Sequence, residues 1–230
     1  FIVRTLNIQS LDPILPKEFE DTFDKDKYLK SQEYTITNSK FAYFTSTFSL
    51  IISLWFILSG FYNTIDLYVR SYNYSDIVSG LLFFAALFVI SDVIRIPLSL
   101  YQTFVIEQKY GFNKTTYSLF FTDKLKEYLL TILIGGPVLY AILYFWGSYG
   151  SIAWLYVWVL LTAFSIIMQP IYINLIAPMF NKFTPLEDGE LLDRIKLYLD
   201  KVNFPVKKLE VVDGSKRSGH SNAYFTGFGK

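Results

Sequence analysis

A long stretch without charge sets the strongest limit on how this chain can fold. From Tyr128 to Asn181 there are 54 residues with no Asp, Glu, Lys or Arg, and from Phe41 to Ile65 there are 25 more. A helix on the surface of a soluble protein needs a polar face, and these stretches leave none. As one helix the longer stretch would measure roughly 80 Å, far more than a bilayer. The pattern predicts membrane-spanning helices that reverse direction.

The composition excludes several classes of protein. Of the 230 residues 52% are hydrophobic and 18% charged, against about 25% charged in an average soluble protein. These values exclude a disordered chain, a nucleic-acid-binding arm and a coiled coil. The net charge of +1 points to no particular class of charged partner. The absence of Cys excludes a disulfide scaffold and any thiolate metal site.

Four apolar blocks are each long enough to cross a bilayer, which takes about 20 apolar residues in a helix. The predicted spans are residues 41–68, 77–104, 125–146 and 152–180. A Gly- and Ser-containing turn at 147–151 separates the last two spans. Proline and paired glycine are expected to kink these spans, at Gly135, Gly136, Pro137, Pro170 and Pro178. The sequence therefore predicts an all-α polytopic membrane bundle.

Polar segments flank these spans. Residues 1–40 form a juxtamembrane connector with a short helix from about Asp24 to Lys40, and residues 105–124 form a loop. Residues 181–230 have the composition of a soluble α+β domain. Its predicted elements are a helix over 185–202, with Thr184 as N-cap and Pro185 at the first position, and strands over 209–213 and 221–226.

The distribution of basic residues predicts the orientation. Of the 21 Lys and Arg residues, 19 lie in residues 1–40, 104–126 or 182–230, and the exceptions are Arg70 and Arg95. Four spans place those three segments on one side of the membrane. The positive-inside rule assigns that side to the cytosol.

Charged residues within the predicted spans are candidates for a polar cavity. Asp92 and Arg95 lie three positions apart, and Asp66 and Arg70 lie four apart nearer a membrane edge. Such charges usually face a bundle interior or a cavity. Pairing within one helix is the favoured interpretation for Asp66 and Arg70, whereas for Asp92 and Arg95, which lie deeper, both pairing and a polar cavity stay open. The amides that could add to a cavity lining are Gln102, Gln169 and Asn174.

Spacing alone predicts no complete catalytic apparatus. His220 is the single histidine, and one His cannot form a metal site. Neither a phosphate-binding glycine loop nor a Gly-x-Ser-x-Gly nucleophile elbow occurs. The basic loop at Lys216 and Arg217 is typical of a solvated turn rather than an anion site.

Three stretches together resemble the type I CaaX prenyl proteases, which are integral-membrane zinc endopeptidases. They are FVIEQKYGFNK at 104–114, IAPMFNKFTPL at 176–186 and DGSKRSGHSNAYFTG at 213–227. The last is the most specific, and the resemblance covers nearly the whole chain.

This resemblance implies seven membrane helices around a water-filled chamber, closed on the cytosolic side by a zinc protease domain. The four predicted spans would be four of the seven, with one span before Phe1 and two after Lys230. The family's zinc is held by two His of a His-Glu-x-x-His helix and a later Glu, and the motif Glu is the general base. No such motif occurs within these residues, so the resemblance implies downstream zinc ligands and an inactive fragment.

One functional element of the family matches residues 221–225. In related proteases an edge strand with an Asn-Ala pair binds the substrate backbone as an added strand. The resemblance assigns Asn222, Ala223 and Tyr224 to substrate binding: Asn222 would bond the substrate main chain, and Ala223 would allow its approach. The alternative is an ordinary hairpin strand. His220 would flank the strand as a structural residue.

Two hypotheses follow from these observations. In the first, the chain is the N-terminal portion of a protease that cuts the C-terminal tripeptide from a prenylated CaaX protein or peptide. Its partners would then be that substrate and the lipid bilayer, with no nucleic acid. The protein would lie in the membrane of the endoplasmic reticulum or the nuclear envelope. In the second, the chain is a polytopic membrane binding or transport protein without hydrolytic activity, in which Asp92 and Arg95 line a pathway.

Overall fold

The computed structural model describes residues 1–225 as two compact units, Phe1–Asn113 and the residues from Lys114 onward. Helices α1 to α10 are Ile2–Gln9, Lys25–Leu58, Phe61–Arg70, Asp76–Tyr101, Gln108–Tyr110, Tyr117–Leu130, Gly136–Tyr149, Ala153–Ile171, Ala177–Phe180 and Glu190–Lys201. Strands β1 and β2 are Phe183–Pro185 and Glu210–Val212. Shorter turns are π-helical at Gln102–Glu107, Thr131–Gly135 and Tyr172–Ile176, and 3₁₀-helical at Lys17–Phe19, Gly150–Ile152 and Gly214–Lys216.

Three continuous helical stretches in this range are long and apolar enough to cross a membrane. They are Lys25–Leu58, Asp76–Tyr110 and Tyr117–Phe180. Large apolar side chains point outward along them, and Leu58, for example, is 83% exposed. Contiguous apolar surface of this kind suits lipid rather than water. The protein therefore has a mostly helical membrane fold with a small sheet near its C-terminal end, as the sequence predicts.

In the first unit, α2 is longer than the predicted span at its start and shorter at its end. Asp24 caps the helix, because its side chain accepts a hydrogen bond of 2.9 Å from the Lys27 N–H. The helix continues without a break through the predicted short helix at 24–40 and ends at Leu58. Gly60 adopts a left-handed backbone with a φ of +71°, a conformation that glycine tolerates best.

The chain after Gly60 forms a separate helix rather than the last turns of the first span. Helix α3 packs against α2, and the ring centroids of Phe56 and Phe61 lie 4.5 Å apart. Ile65 and Val69 are buried on one face of α3. The single span predicted over 41–68 is thus divided at Gly60.

Polar side chains tie α2 to the chain after α4 within the first unit. The Tyr34 hydroxyl donates to Glu107 Oε1 at 2.7 Å. Gln102 Nε2 donates to Asn38 Oδ1 at 2.7 Å and to Glu107 Oε1 at 3.1 Å. Gln102, a candidate for a cavity lining, thus binds protein groups of its own unit.

In the second unit, Tyr117–Phe180 folds back on itself at Gly150. This residue has a φ of 52° and a ψ of −125°, a combination that only glycine adopts readily. The Tyr156 ring centroid lies 5.5 Å from that of Phe145 and 4.5 Å from that of Tyr149. On a straight helix Phe145 and Tyr156 would stand roughly 16 Å apart. Helices α7 and α8 therefore form a hairpin whose turn is the 3₁₀ segment Gly150–Ile152. The predicted turn at 147–151 thus begins too early, because residues 147–149 belong to α7.

Two of the π-helical turns, which are wider than α-helical turns, lie just before a proline. One π-helical turn, Thr131–Gly135, closely precedes Pro137, and another, Tyr172–Ile176, closely precedes Pro178. Proline lacks an N–H and crowds the preceding turn, so a wider turn relieves the clash. Asn174 Nδ2 donates to the Pro170 carbonyl at 2.8 Å. Asn174, another candidate lining residue, thus bonds within its own helix.

The chain after α9 has a two-stranded antiparallel sheet. Strand β1 pairs with β2 so that Phe183 faces Val212 and Pro185 faces Glu210. The predicted helix start at Thr184 and Pro185 is wrong, because both residues belong to β1. Proline favours extended backbone in the residue before it, which suits a strand here. The helix, α10, begins at Glu190 and ends at Lys201.

Candidate functional site

The residues predicted to bind substrate lie in an exposed, unpaired segment. Residues 221–225 form no strand and make no backbone–backbone hydrogen bond with another described residue. The strand predicted over 221–226 is therefore absent as far as Phe225, and position 226 lies outside the described residues. Strand β2 pairs with β1 instead. Unpaired, exposed backbone is able to accept an added strand.

The side-chain oxygen of Asn222 accepts a hydrogen bond, whereas its side-chain nitrogen has no acceptor among the described residues. Its Oδ1 accepts a hydrogen bond of 2.8 Å from the Ala223 N–H, and no described residue accepts from its Nδ2. Tyr224 is 65% exposed and Phe225 84% exposed, and the Phe225 ring touches Phe204 edge-on with centroids 5.7 Å apart. The arrangement leaves an amide donor and a tyrosine open to an approaching peptide.

Arg217, five residues before Asn222 in the sequence, is held by its side chain and its main chain. Its Nε and Nη2 donate to the two Asp123 carboxylate oxygens at 2.7 and 3.0 Å. Its Nη1 donates to Asn181 Oδ1 at 2.9 Å. The bond to Asp123 raises the pKa of the Arg217 guanidinium above its ordinary value. The prediction of a solvated turn at Lys216 and Arg217 is wrong for Arg217.

Asp213 fixes the start of the same loop. Its Oδ1 accepts a hydrogen bond of 2.6 Å from the Lys182 N–H, and its own N–H donates to the Lys182 carbonyl at 3.1 Å. Lys216 forms an ion pair with the other carboxylate oxygen. The Lys216 hydrogen bond first, and the Lys182 N–H second, lower the pKa of Asp213 below its ordinary value near 3.8.

This lowered pKa predicts a pH-dependent stability. A carboxyl whose pKa falls on folding stabilises the folded state above its unfolded pKa, and that contribution is lost as the pH falls through the folded pKa. We expect Asp213→Asn to unfold at a lower temperature than the wild type at pH 7, with the difference shrinking below pH 4. Thermal unfolding of both intact proteins in detergent from pH 7 to 3.5 checks this. A difference that stays constant with pH would contradict it.

The structure bears differently on the two sets of charged residues predicted within the membrane spans. Arg70 Nε donates to both Asp66 carboxylate oxygens at 3.0 and 2.9 Å, and Arg70 Nη1 donates to Asp76 at 3.1 Å. The interpretation of Asp66 and Arg70 as a pair within one helix is thereby confirmed. Asp92 is half-buried and Arg95 is exposed. That these two side chains line a cavity stays a prediction.

A metal centre is absent from the described part of the chain. No group of three His, Cys, Asp or Glu side chains among residues 1–225 is placed to hold a metal ion. These residues therefore do not fit a zinc site on their own.

The sequence analysis did not predict that the Arg217 side chain is held by Asp123. Its carboxylate partner Asp123 lies 94 positions away, and no periodicity or spacing rule connects residues so far apart. The sole available signal was that the loop containing Arg217, the α6 segment and Asn181 lie in or beside the stretches of family resemblance.

Comparisons with known proteins agree on one family. A family model described as "CAAX prenyl protease N-terminal, five membrane helices" matches residues 4–182. CAAX prenyl protease 1 of Saccharomyces cerevisiae is 40% identical over 223 residues, covering 93% of this chain and 49% of the relative. The CAAX prenyl protease 1 homolog of Homo sapiens is 35% identical over 223 residues, covering 94% and 47%.

A solved structure has the same fold. The crystal structure of S. mikatae Ste24p matches with a TM-score of 0.85 and 39% sequence identity, covering 96% of this chain and 53% of that chain. The chain thus spans about half the length of the curated relatives and of the solved structure that it matches.

Proposed function

The chain belongs to the CAAX prenyl protease family, and from this membership we propose that the intact protein is a membrane-embedded zinc metalloendopeptidase. It removes the C-terminal tripeptide from prenylated CaaX proteins. Residues 1–225 supply part of the membrane wall and the segment that binds the substrate peptide, and the zinc ligands lie elsewhere in the intact protein.

The observation that supports this proposal most is the unpaired backbone at residues 222–224. An extended peptide gains main-chain hydrogen bonds when it lies beside an open strand edge. Asn222 Nδ2 has no partner among the described residues, and it would donate to a substrate carbonyl. Ala223 has a small side chain, which allows the two backbones to approach closely. In this role the segment holds the scissile bond in a fixed position.

The membrane helices support a lipid-linked substrate. A prenyl group is a long apolar chain, and a bilayer-embedded protein offers it apolar surroundings close to the peptide-binding segment. The proline-associated wide turns fit a wall around an interior space, because irregular backbone persists at membrane depth where protein or water covers it. Asp92 and Arg95 would line that space.

Zinc would supply the hydrolytic chemistry when bound, by polarising the scissile carbonyl and lowering the pKa of a water ligand. Residues 222–224 orient the substrate peptide and fix which of its residues pairs with each residue of the segment. We place the protein in the endoplasmic reticulum or nuclear envelope, with residues 1–40 and 181–230 in the cytosol, where the basic residues are concentrated.

A membrane binding or transport protein without hydrolytic activity is the less favoured function. Relatives named CAAX prenyl protease 1, or homologs of it, match more than nine-tenths of the chain at 35–40% identity, including the soluble segment after the last span. A transporter has no need of an open peptide-binding edge.

Cleavage by the intact protein tests the proposal. The purified protein in detergent is incubated with a farnesylated CaaX peptide, and mass spectrometry follows release of the tripeptide. We expect release from the farnesylated peptide, little release from the same peptide without the prenyl group, and loss of activity with a zinc chelator. Absence of tripeptide release from protein with stoichiometric zinc would overturn the proposal.

A further inference from the structure

We propose that Arg217 is a positioning residue that fixes where the segment 222–224 lies, and thereby sets the affinity for the substrate peptide. The inference rests on the proposed function and extends it to a residue outside the binding segment. It is argued from contacts that all lie within the second unit.

The Arg217 side chain makes a three-point attachment. Its guanidinium forms two parallel hydrogen bonds with Asp123 in α6, at 2.7 and 3.0 Å, and a third with Asn181, which follows α9, at 2.9 Å. The Arg217 and Asp123 side chains are 24% and 21% exposed. A forked, charge-assisted bond fixes direction as well as distance, so the loop cannot rotate about this point.

The main chain of Arg217 is held at the same place. Its carbonyl accepts hydrogen bonds from the Lys114 N–H at 3.1 Å and from the Thr115 hydroxyl at 3.0 Å. The side chain and the backbone of one residue are therefore both anchored, on groups far away in the sequence.

The residues between Arg217 and Asn222 make local hydrogen bonds. Ser218 donates its N–H to the Gly214 carbonyl at 3.1 Å and accepts from the His220 N–H at 3.1 Å. Residues 221–225 make no backbone–backbone bond to other described residues. Arg217 is thus a firmly anchored residue five positions before Asn222, and its position restrains where the extended segment starts.

A plain surface ion pair would have no such effect. Arg194 and Glu190 in α10 form one, four positions apart, with both side chains 78% exposed. Exposed pairs of this kind contribute little to stability. Arg194→Ala is therefore the matched control for Arg217→Ala, since each removes the same side chain.

The test uses the intact protein and the farnesylated CaaX peptide. We expect Arg217→Ala to raise KM about fivefold, with kcat and zinc content close to wild type. Arg217→Lys is expected to lie between, because lysine keeps the charge but cannot form the fork. Reversing the pair with Arg217→Asp and Asp123→Arg together is expected to recover part of the affinity that Arg217→Asp loses. Arg194→Ala is expected to leave KM unchanged.

A purely structural role predicts another pattern, with less active protein, a lower unfolding temperature and an unchanged KM. That pattern, or a wild-type KM in Arg217→Ala, would overturn the inference. Hydrogen exchange of residues 218–224 in the substrate-free protein tests the anchoring without catalysis. Faster exchange in Arg217→Ala but not in Arg194→Ala supports it, and equal exchange overturns it. If the wild type cuts no peptide, the proposed function fails, while the exchange experiment still decides on the anchor.

Discussion

Replacing Asn222 with Ala in the intact protein is expected to lower kcat/KM for a farnesylated CaaX peptide by about tenfold or more. The substitution removes the amide donor and leaves a substrate carbonyl without its hydrogen-bond partner, a loss of about 1–3 kcal/mol. Asn222 is exposed and, within residues 1–225, bonds only the neighbouring Ala223 N–H, so the folded protein loses little. Steady-state kinetics together with zinc analysis measure the effect.

Asn63→Ala serves as the matched control for this variant. Asn63 is an exposed asparagine in α3, outside the proposed binding segment, and its replacement is expected to leave kcat/KM and zinc content unchanged. Zinc content is also expected to be unchanged in Asn222→Ala. If Asn222→Ala shows wild-type kinetics, Asn222 has no part in substrate binding.

Introducing an arginine at the middle of α8 is expected to impair membrane insertion strongly. Leu161 lies near the centre of Ala153–Ile171. Arginine at the centre of a spanning helix costs about 2.5–3.5 kcal/mol on the insertion scale. Leu161→Arg therefore shifts the insertion equilibrium roughly a hundredfold. A glycosylation acceptor placed at the turn Gly150–Ile152 reports insertion, because in the proposed orientation an inserted hairpin exposes this turn to the lumen.

Leu161→Ile keeps the apolar character and is expected to insert as well as the wild type. Equal glycosylation of Leu161→Arg and Leu161→Ile would show that α8 does not enter the bilayer as a spanning helix. That result would remove the hairpin from the membrane part of the fold.

The membrane helices could be predicted because their cause lies in the local sequence. A stretch such as Tyr128–Asn181 has no charge with which to form a polar face, and this property needs no tertiary information. The division at Gly60 was missed because the residues on both sides are apolar, and only the left-handed backbone of Gly60 distinguishes a turn from a continuous helix.

The chain after α9 shows the opposite case. Thr184 and Pro185 match the local pattern of a helix start, but they pair with Val211 and Glu210 in the sheet. Arg217 matches the local pattern of a solvated turn, but it binds Asp123. In both cases a partner that is distant in the sequence overrides local preference, and a single sequence does not identify such partners.

In the proposed topology the binding segment faces the cytosol while the α7–α8 turn faces the opposite side. The 230 residues contain no Cys, so single cysteines can be placed at Ser148 in the last helical turn of α7 and at Ser215 in the loop that precedes Arg217, with any downstream cysteines replaced. The measurement is labelling by a membrane-impermeant maleimide in sealed microsomes whose cytosolic face is outward. From this topology we expect Ser215→Cys to be labelled in intact vesicles and Ser148→Cys to be labelled only after permeabilisation. Labelling of both in intact vesicles, or of Ser148→Cys alone, would contradict it.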